Sequence, residues 1–212
     1  MWWSVSDGDD VRILPDGCMD LLWDGREISI AGPDTHAQLF ASRPGSVMTG
    51  LRFAPGDAPR LLGTPADQFT DQRVPLDQIW EPARVRRVTE LVAASSMPGE
   101  ALEGVALQFR PEPDDDALLV EQIVALAQRG CNSSAIADRV GFSTRQLQRR
   151  SSAAFGYGAK TLGRILRLRR ALALVHAGVR TADSAARAGY ADQSHLAREV
   201  KDLSGVTISE LV

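Results

Sequence analysis

The chain has 212 residues, 44% of them hydrophobic and 24% charged, with a net charge of −3, which is ordinary for a globular protein of two modest domains. No run approaches the roughly 20 apolar residues that span a bilayer, and Met1–Asp10 lacks the basic start and apolar core of a leader. Two distant cysteines, Cys18 and Cys131, argue against a disulfide framework, so a cytoplasmic protein without a membrane partner is expected.

Short strand-type runs come first: Val11–Leu14, Met19–Trp23, Glu27–Ala31, Ala37–Phe40 and Val47–Phe53. Pro-Asp-Gly, Asp-Gly, Gly-Pro-Asp and Arg-Pro-Gly separate them, all strong turn signals. They predict a small antiparallel sheet or partial barrel. From Asp57 the pattern turns helical, with short helices at Ala58–Gly63, Pro65–Phe69 and Pro75–Trp80 and longer ones at Pro82–Ser95 and Gly99–Phe109. Trp2, Trp3, Trp23 and Trp80 all lie in this half. Core packing, a pocket wall and a dimer surface would each use such residues.

Pro111-Glu-Pro-Asp-Asp-Asp116 reads as an exposed linker between a domain at 1–110 and one at 117–212. The charge divides near the same place. Met1–Ala117 carries 10 Lys and Arg against 20 Asp and Glu, a net of −10, whereas Leu118–Val212 carries 14 against 7, a net of +7. A basic half is the footprint of a surface that faces phosphates.

Beyond the linker, Leu118–Gln128 is an amphipathic helix stopped by Gly130, and then a pattern occurs twice. It starts at Asn132 and again at Thr181: an Ala-rich helix, a Gly-aromatic turn, a capping residue, and a second helix rich in polar side chains. This is the grammar of a helix-turn-helix, whose second helix enters the major groove. Gly141 and Gly189 suit the left-handed turn, and Ser143 and Asp192 suit the cap. In the first copy Ile136, Val140 and Leu147 should fill the core, leaving Arg145, Gln148 and Arg149 on one outward face beside Ser143. In the second, Leu196 and Val200 point inward, and Gln193, Ser194, His195 and Arg198 outward. Arg matches guanine O6 and N7, and Gln matches adenine. The helix Ala159–Ala177 joins the copies and is dense in cations, of which Lys160 and Arg164 are candidates for phosphate contact.

At these residues the C-terminal part resembles the tandem helix-turn-helix domain of the AraC/XylS family of bacterial transcriptional regulators. Gly189-Tyr-Ala-Asp-Gln-Ser-His-Leu196, followed by Leu203-Ser-Gly-Val-Thr207, resembles the family signature, and Gly156–Leu162 with Arg164–Ala171 resembles its linking region. Three positions depart from the pattern. Ser151 and Val200 stand where an aromatic is usual, and Ile208 where a proline is, so the second copy is the better match. In the first half, Ile13–Trp23, Gly32-Pro-Asp34 and Gly50–Gly56 are similar to a short, poorly characterised sensor-like domain attached to such regulators. The resemblance implies a reduced cupin-like β domain followed by an all-α tandem helix-turn-helix domain, an α+β protein overall. It further implies double-stranded DNA as partner, a small-molecule effector and RNA polymerase as candidate partners, and a monomer or homodimer.

Nothing in the sequence marks an enzyme or a cofactor. No Ser-His-Asp arrangement or phosphate-binding glycine loop stands out, and Cys18, Asp20 and His36 lack a fourth ligand for zinc. Cys18 and Trp23 are the candidates for lining an effector pocket. The competing reading is a ligand-binding or enzymatic cupin-like protein whose C-terminal helices serve as a scaffold. It predicts no sequence preference on DNA.

Overall fold

The computed structural model describes residues 1–6 (of Trp2–Ser6, the backbone alone), 11–40 and 47–212. The side chains of Trp2 and Trp3 and the expected turn at Arg43-Pro44-Gly45 therefore fall outside the described residues. The strands are β1 (Trp2–Ser6), β2 (Val11–Ile13), β3 (Met19–Trp23), β4 (Ile28–Ala31), β5 (Gln38–Phe40), β6 (Val47–Phe53) and β7 (Arg73–Pro75). An antiparallel sheet has the order β1-β6-β3-β4-β7, and β2 pairs with β5 in a separate ribbon.

The alternation of side chains across each strand divides the sheet into two faces. Leu21 lies opposite Leu51 and Ile30, and Ile30 opposite Val74. With Met19, Trp23 and Ile28 they form one apolar face. That face is covered by α1 (Asp57–Leu62), α2 (Pro82–Ala94) and α3 (Pro98–Phe109). On the other face, Asp20 lies opposite Arg52, and Leu22 opposite Gly50. The ribbon covers this second face, so every residue of β3 is buried even though Asp20 is charged.

Expectation and structure part at the sheet edges. β1 and β7 were not foreseen, because an edge strand needs only one good partner and leaves a weak sequence signal. The helix expected at Pro75–Trp80 is instead the end of β7 and a 3-10 turn, Leu76–Gln78. Trp80 closes that segment in the core, its Nε1 donating to the Leu62 carbonyl at 3.3 Å.

Between α3 and the next helix, the acidic run is partly helical. Asp114 is the N-cap of α4 (Asp115–Gln128), its carboxylate accepting from Ala117 N at 2.9 Å, and Asp115 and Asp116 occupy the first turn. Carboxylates are favoured there by the unpaired N–H groups. Then follow α5 (Ser133–Arg139), α6 (Thr144–Phe155), α7 (Ala159–His176), α8 (Thr181–Ala188) and α9 (Gln193–Ser204). Helix α7 belongs to two cores. Leu162, Ile165 and Leu166 pack with α4, α5 and α6, whereas Leu168, Ala171 and Leu172 pack with α8 and α9. Among the described residues no helix is long and apolar enough to cross a membrane.

The two halves touch at both motifs. Helix α6 rests on α1 and on the 3-10 turn Ala66–Gln68, and Thr70 Oγ1 donates to the Gly156 carbonyl at 3.0 Å. A Cβ on Gly56 would collide with Val120 Cγ1, so glycine is needed for this close approach. The end of α9 is held by the ribbon region, described below.

Candidate nucleic-acid interface

Each motif is built by local rules legible in its sequence. Helix α5 starts on Asn132, whose Oδ1 accepts from Ala135 N at 2.9 Å. Gly141 turns the chain at φ 72°. Ser143 then closes a capping box on α6, its Oγ accepting from Gln146 N at 3.3 Å while its own N donates to Gln146 Oε1 at 2.8 Å. In the second motif Gly189 turns at φ 88° and Asp192 Oδ1 accepts from His195 N at 2.7 Å. Ile136 and Leu147 are buried in one motif, Leu196 and Val200 in the other.

The outward faces differ in readiness. Arg145, Arg149, Gln193 and Ser194 are exposed, and Arg198 is exposed with Nε directed at the Ser194 carbonyl at 3.4 Å. Gln148 folds back: its Nε2 donates to Ser152 Oγ at 3.3 Å, and its amide lies where a side chain on Gly158 would project. His195 is only partly exposed. It sits edge-on to Tyr190 at 5.2 Å, with Nδ1 facing Ala191 N at 3.5 Å. Ser143 remains exposed but its hydroxyl serves the cap.

Of the two candidate phosphate contacts, Lys160 is exposed at the start of α7. Arg164 is engaged elsewhere, donating to Glu199 Oε2 at 3.1 Å and pairing with Asp202. Arg167 joins it, with Nη2 3.2 Å from Glu199 Oε1 and its guanidinium 4.4 Å from the Tyr190 ring centre. Glu199 is thus a buried clasp between α7 and α9 that sequence reasoning passed over. Its signal was an acid at an inward position of α9, among the buried Leu196, Val200 and Leu203.

Residues 136–212 match the family model of a helix-turn-helix domain. The C-terminal part is an AraC-type helix-turn-helix domain. Residues 1–75 match the model of a domain of unknown function, DUF6597. No curated relative matches the sequence. In overall fold the chain is similar to ToxT from Vibrio cholerae solved at 1.65 Å, with a TM-score of 0.52 and 14% identity over 100% of this chain and 96% of that one. It is likewise similar to ToxT bound to (E)-4-(8-methylnaphthalen-1-yl)but-3-enoic acid, with a TM-score of 0.51 and 14% identity over 99% and 96% of the two chains. ToxT with a bound unsaturated fatty acid gives a TM-score of 0.50 and 14% identity over 99% and 92%.

The N-terminal half offers a second feature to the AraC-type domain. Between the sheet and the ribbon lies a cavity of about 460 Å³, walled by Val11, Ile13, Leu22, Leu39, Phe40 and Met48. Asp16, Cys18, Asp20, Asp34, Arg52 and Asp71 form its polar end. Burial first, then Asp16, pushes the Cys18 thiol up to about 12, which keeps it protonated and unreactive. Trp23, the other candidate, is on the opposite face of the sheet, in the core beneath the helices, because it is odd-numbered on a strand whose even positions face the cavity. Among the described residues no three His, Cys, Asp or Glu side chains converge as a metal site. The Asp20–Arg52 pair had a signal in the sequence: two charges in apolar strand segments that register as cross-strand neighbours.

The ribbon connects this cavity to α9. Arg12, between cavity residues Val11 and Ile13, donates from Nη1 to the Ser204 carbonyl at 2.8 Å. Ala37 N, next to cavity residue Gln38, donates to the Leu203 carbonyl at 2.7 Å. Leu14 packs against the core of the second motif. Arg169 of α7 donates to the Asp16 carbonyl at 3.1 Å.

Proposed function

We propose that the protein is a transcription regulator that reads adjacent major grooves with α6 and α9 under the control of a small molecule held between the sheet and the ribbon. The observation that carries this reading is that both second helices, each capped after a left-handed glycine, pack on the single helix α7 and turn polar faces outward. With 18 residues, α7 is about 27 Å long at ~1.5 Å per residue, against a groove repeat of about 34 Å. That length, with the bulk of the motifs at its ends, supports two helices one helical turn of DNA apart. The +7 charge of Leu118–Val212 favours the phosphate backbone, and the −10 charge of Met1–Ala117 turns that half away from it.

Effector control is supported by the ribbon, which walls the cavity and holds the end of α9. The binding of a fatty acid by ToxT is a precedent for small-molecule occupancy in this architecture.

Selection of bound sequences from random duplex DNA tests the reading. A site with two half-elements about one helical turn apart is expected, with affinity falling steeply as salt rises. Arg149→Ala and Arg198→Ala should each cost about 1–3 kcal/mol and relax preference in a different half-element. Unchanged affinity and site preference in both variants would overturn the assignment of these faces.

A further inference from the structure

The polar end of the cavity also constrains the charge of its occupant, given that the cavity is the effector site. Arg52 is fully engaged. Its Nε and Nη2 donate to the two oxygens of Asp20 at 3.0 and 2.9 Å, and its Nη1 lies 3.0 Å from Asp16 Oδ2. Arg73 donates to Ser29 Oγ at 2.8 Å and lies 3.9 Å from Asp24. Asp71 accepts from the backbone N and the hydroxyl of Thr35, both at 2.7 Å, with His36 Nδ1 at 3.6 Å. An entering carboxylate would meet two guanidiniums already occupied.

Asp34 differs from these groups. It shares the cavity wall with the neutral amide of Gln38, and among the described residues the charges that act on it are those of Asp71, Asp16 and Asp20. Burial first, then these carboxylates, push its carboxyl up to about 7. A carboxyl so placed is in a field short of positive charge, and a cation beside it restores the ionised form. Among the described residues that line the cavity, four carboxylates, Asp16, Asp20, Asp34 and Asp71, stand with two guanidiniums, those of Arg52 and Arg73, and Met1 N reaches the Arg52 carbonyl at 3.5 Å. Leu22, Phe40 and Met48 supply an apolar wall beside them.

We propose that the cavity binds an organic cation, an amine or amidine with an apolar body, its charged group on Asp34 and its body against Leu22, Phe40 and Met48. Burial of the apolar body drives entry, and the ion pair sets the preference for charge.

The test is calorimetric titration of the full chain at pH 8 with octylamine, octanol and octanoate, three probes that share a body and differ in charge. Octylamine should bind tightest, about tenfold or more tighter than octanoate. Asp34→Asn should reduce that ratio to about threefold or less, with circular dichroism confirming that the variant is folded. Octanoate or octanol binding as tightly as the amine to the wild-type chain would overturn the proposal, as would no binding by any probe. DNA affinity measured with each probe separates this result from the effector reading. An amine preference without a change in DNA affinity upholds the cation site and removes its regulatory role. A change in DNA affinity produced by octanol or octanoate, with no preference for the amine, keeps the regulatory role and overturns the cation proposal.

Discussion

Ser151 is fully buried in the first motif with no hydrogen-bond partner for its hydroxyl among the described residues, at the position where the family pattern has an aromatic. One turn on, Phe155 is 1% exposed in the same core. An unsatisfied buried hydroxyl costs free energy that a methyl group does not. Ser151→Ala should therefore stabilise the protein by about 1 kcal/mol, which for a chain of this size raises the thermal midpoint by about 2–4 °C. Melting followed by circular dichroism decides the matter. A lower midpoint would mean that the hydroxyl has a partner, such as a bound water, whose loss outweighs the gain. Tyr157 shows a related tension, its hydroxyl buried without a partner and its ionisation opposed by burial and by Asp16. Both residues lie near the junction of the halves, where the packing serves two domains at once.

Among the elements, α7 does most to fix the geometry. Its apolar residues are shared between two cores, and two of its cations, Arg164 and Arg167, turn toward α9 while Lys160, Arg169 and Arg170 stay exposed. The Glu199 carboxylate takes both Arg164 and Arg167 and so sets the angle between α7 and α9. Glu199→Gln leaves the shape but removes the charge facing two partly buried guanidiniums. A loss of about 2–3 kcal/mol is expected from weakened charge-assisted bonds, along with weaker DNA binding as α9 loosens. Chemical denaturation of the variant beside the wild type checks the first outcome, and a loss under about 0.5 kcal/mol would show the clasp to be an ordinary surface pair. This clasp explains why Arg164 could not be placed from sequence. A row of arginines along a helix gives the same periodicity whether it meets phosphate or an acid thirty-five residues later. The motif turns were legible because Gly141, Ser143, Gly189 and Asp192 act on their immediate neighbours. Strands Met19–Trp23 and Val47–Phe53 were legible for the same reason, as short strand-type runs bounded by turn signals. The cavity was not, since it arises only when two strands far apart in sequence form a ribbon over the sheet, and Trp23 then faces away from it.

On the scale of the whole molecule, the N-terminal half grips each motif by a different device. The first is held by close packing on the glycines Gly56 and Gly156, where a Cβ would meet Val120, Pro33 and Thr70. The second is held by a few bonds from the ribbon and by Leu14, a half-buried side chain packed against the second motif's core. This contact is the weaker of the two, and it adjoins the cavity wall. If the cavity's occupant is to alter DNA binding, it must favour one arrangement of the halves over another, and the ribbon is the element positioned to transmit that preference. Leu14→Ala should remove about 1–2 kcal/mol of contact, less than a fully buried leucine because the side chain is half-exposed. Its effect should be local. Amide exchange in Leu203–Gly205 should quicken by about tenfold, as ~1.4 kcal/mol implies, while β3 and β6 stay protected. The variant should also lose most of the response of DNA affinity to a cavity ligand. Unchanged exchange at the end of α9 would show that Leu14 carries no coupling, and equal acceleration throughout the sheet would show that it stabilises the N-terminal half instead.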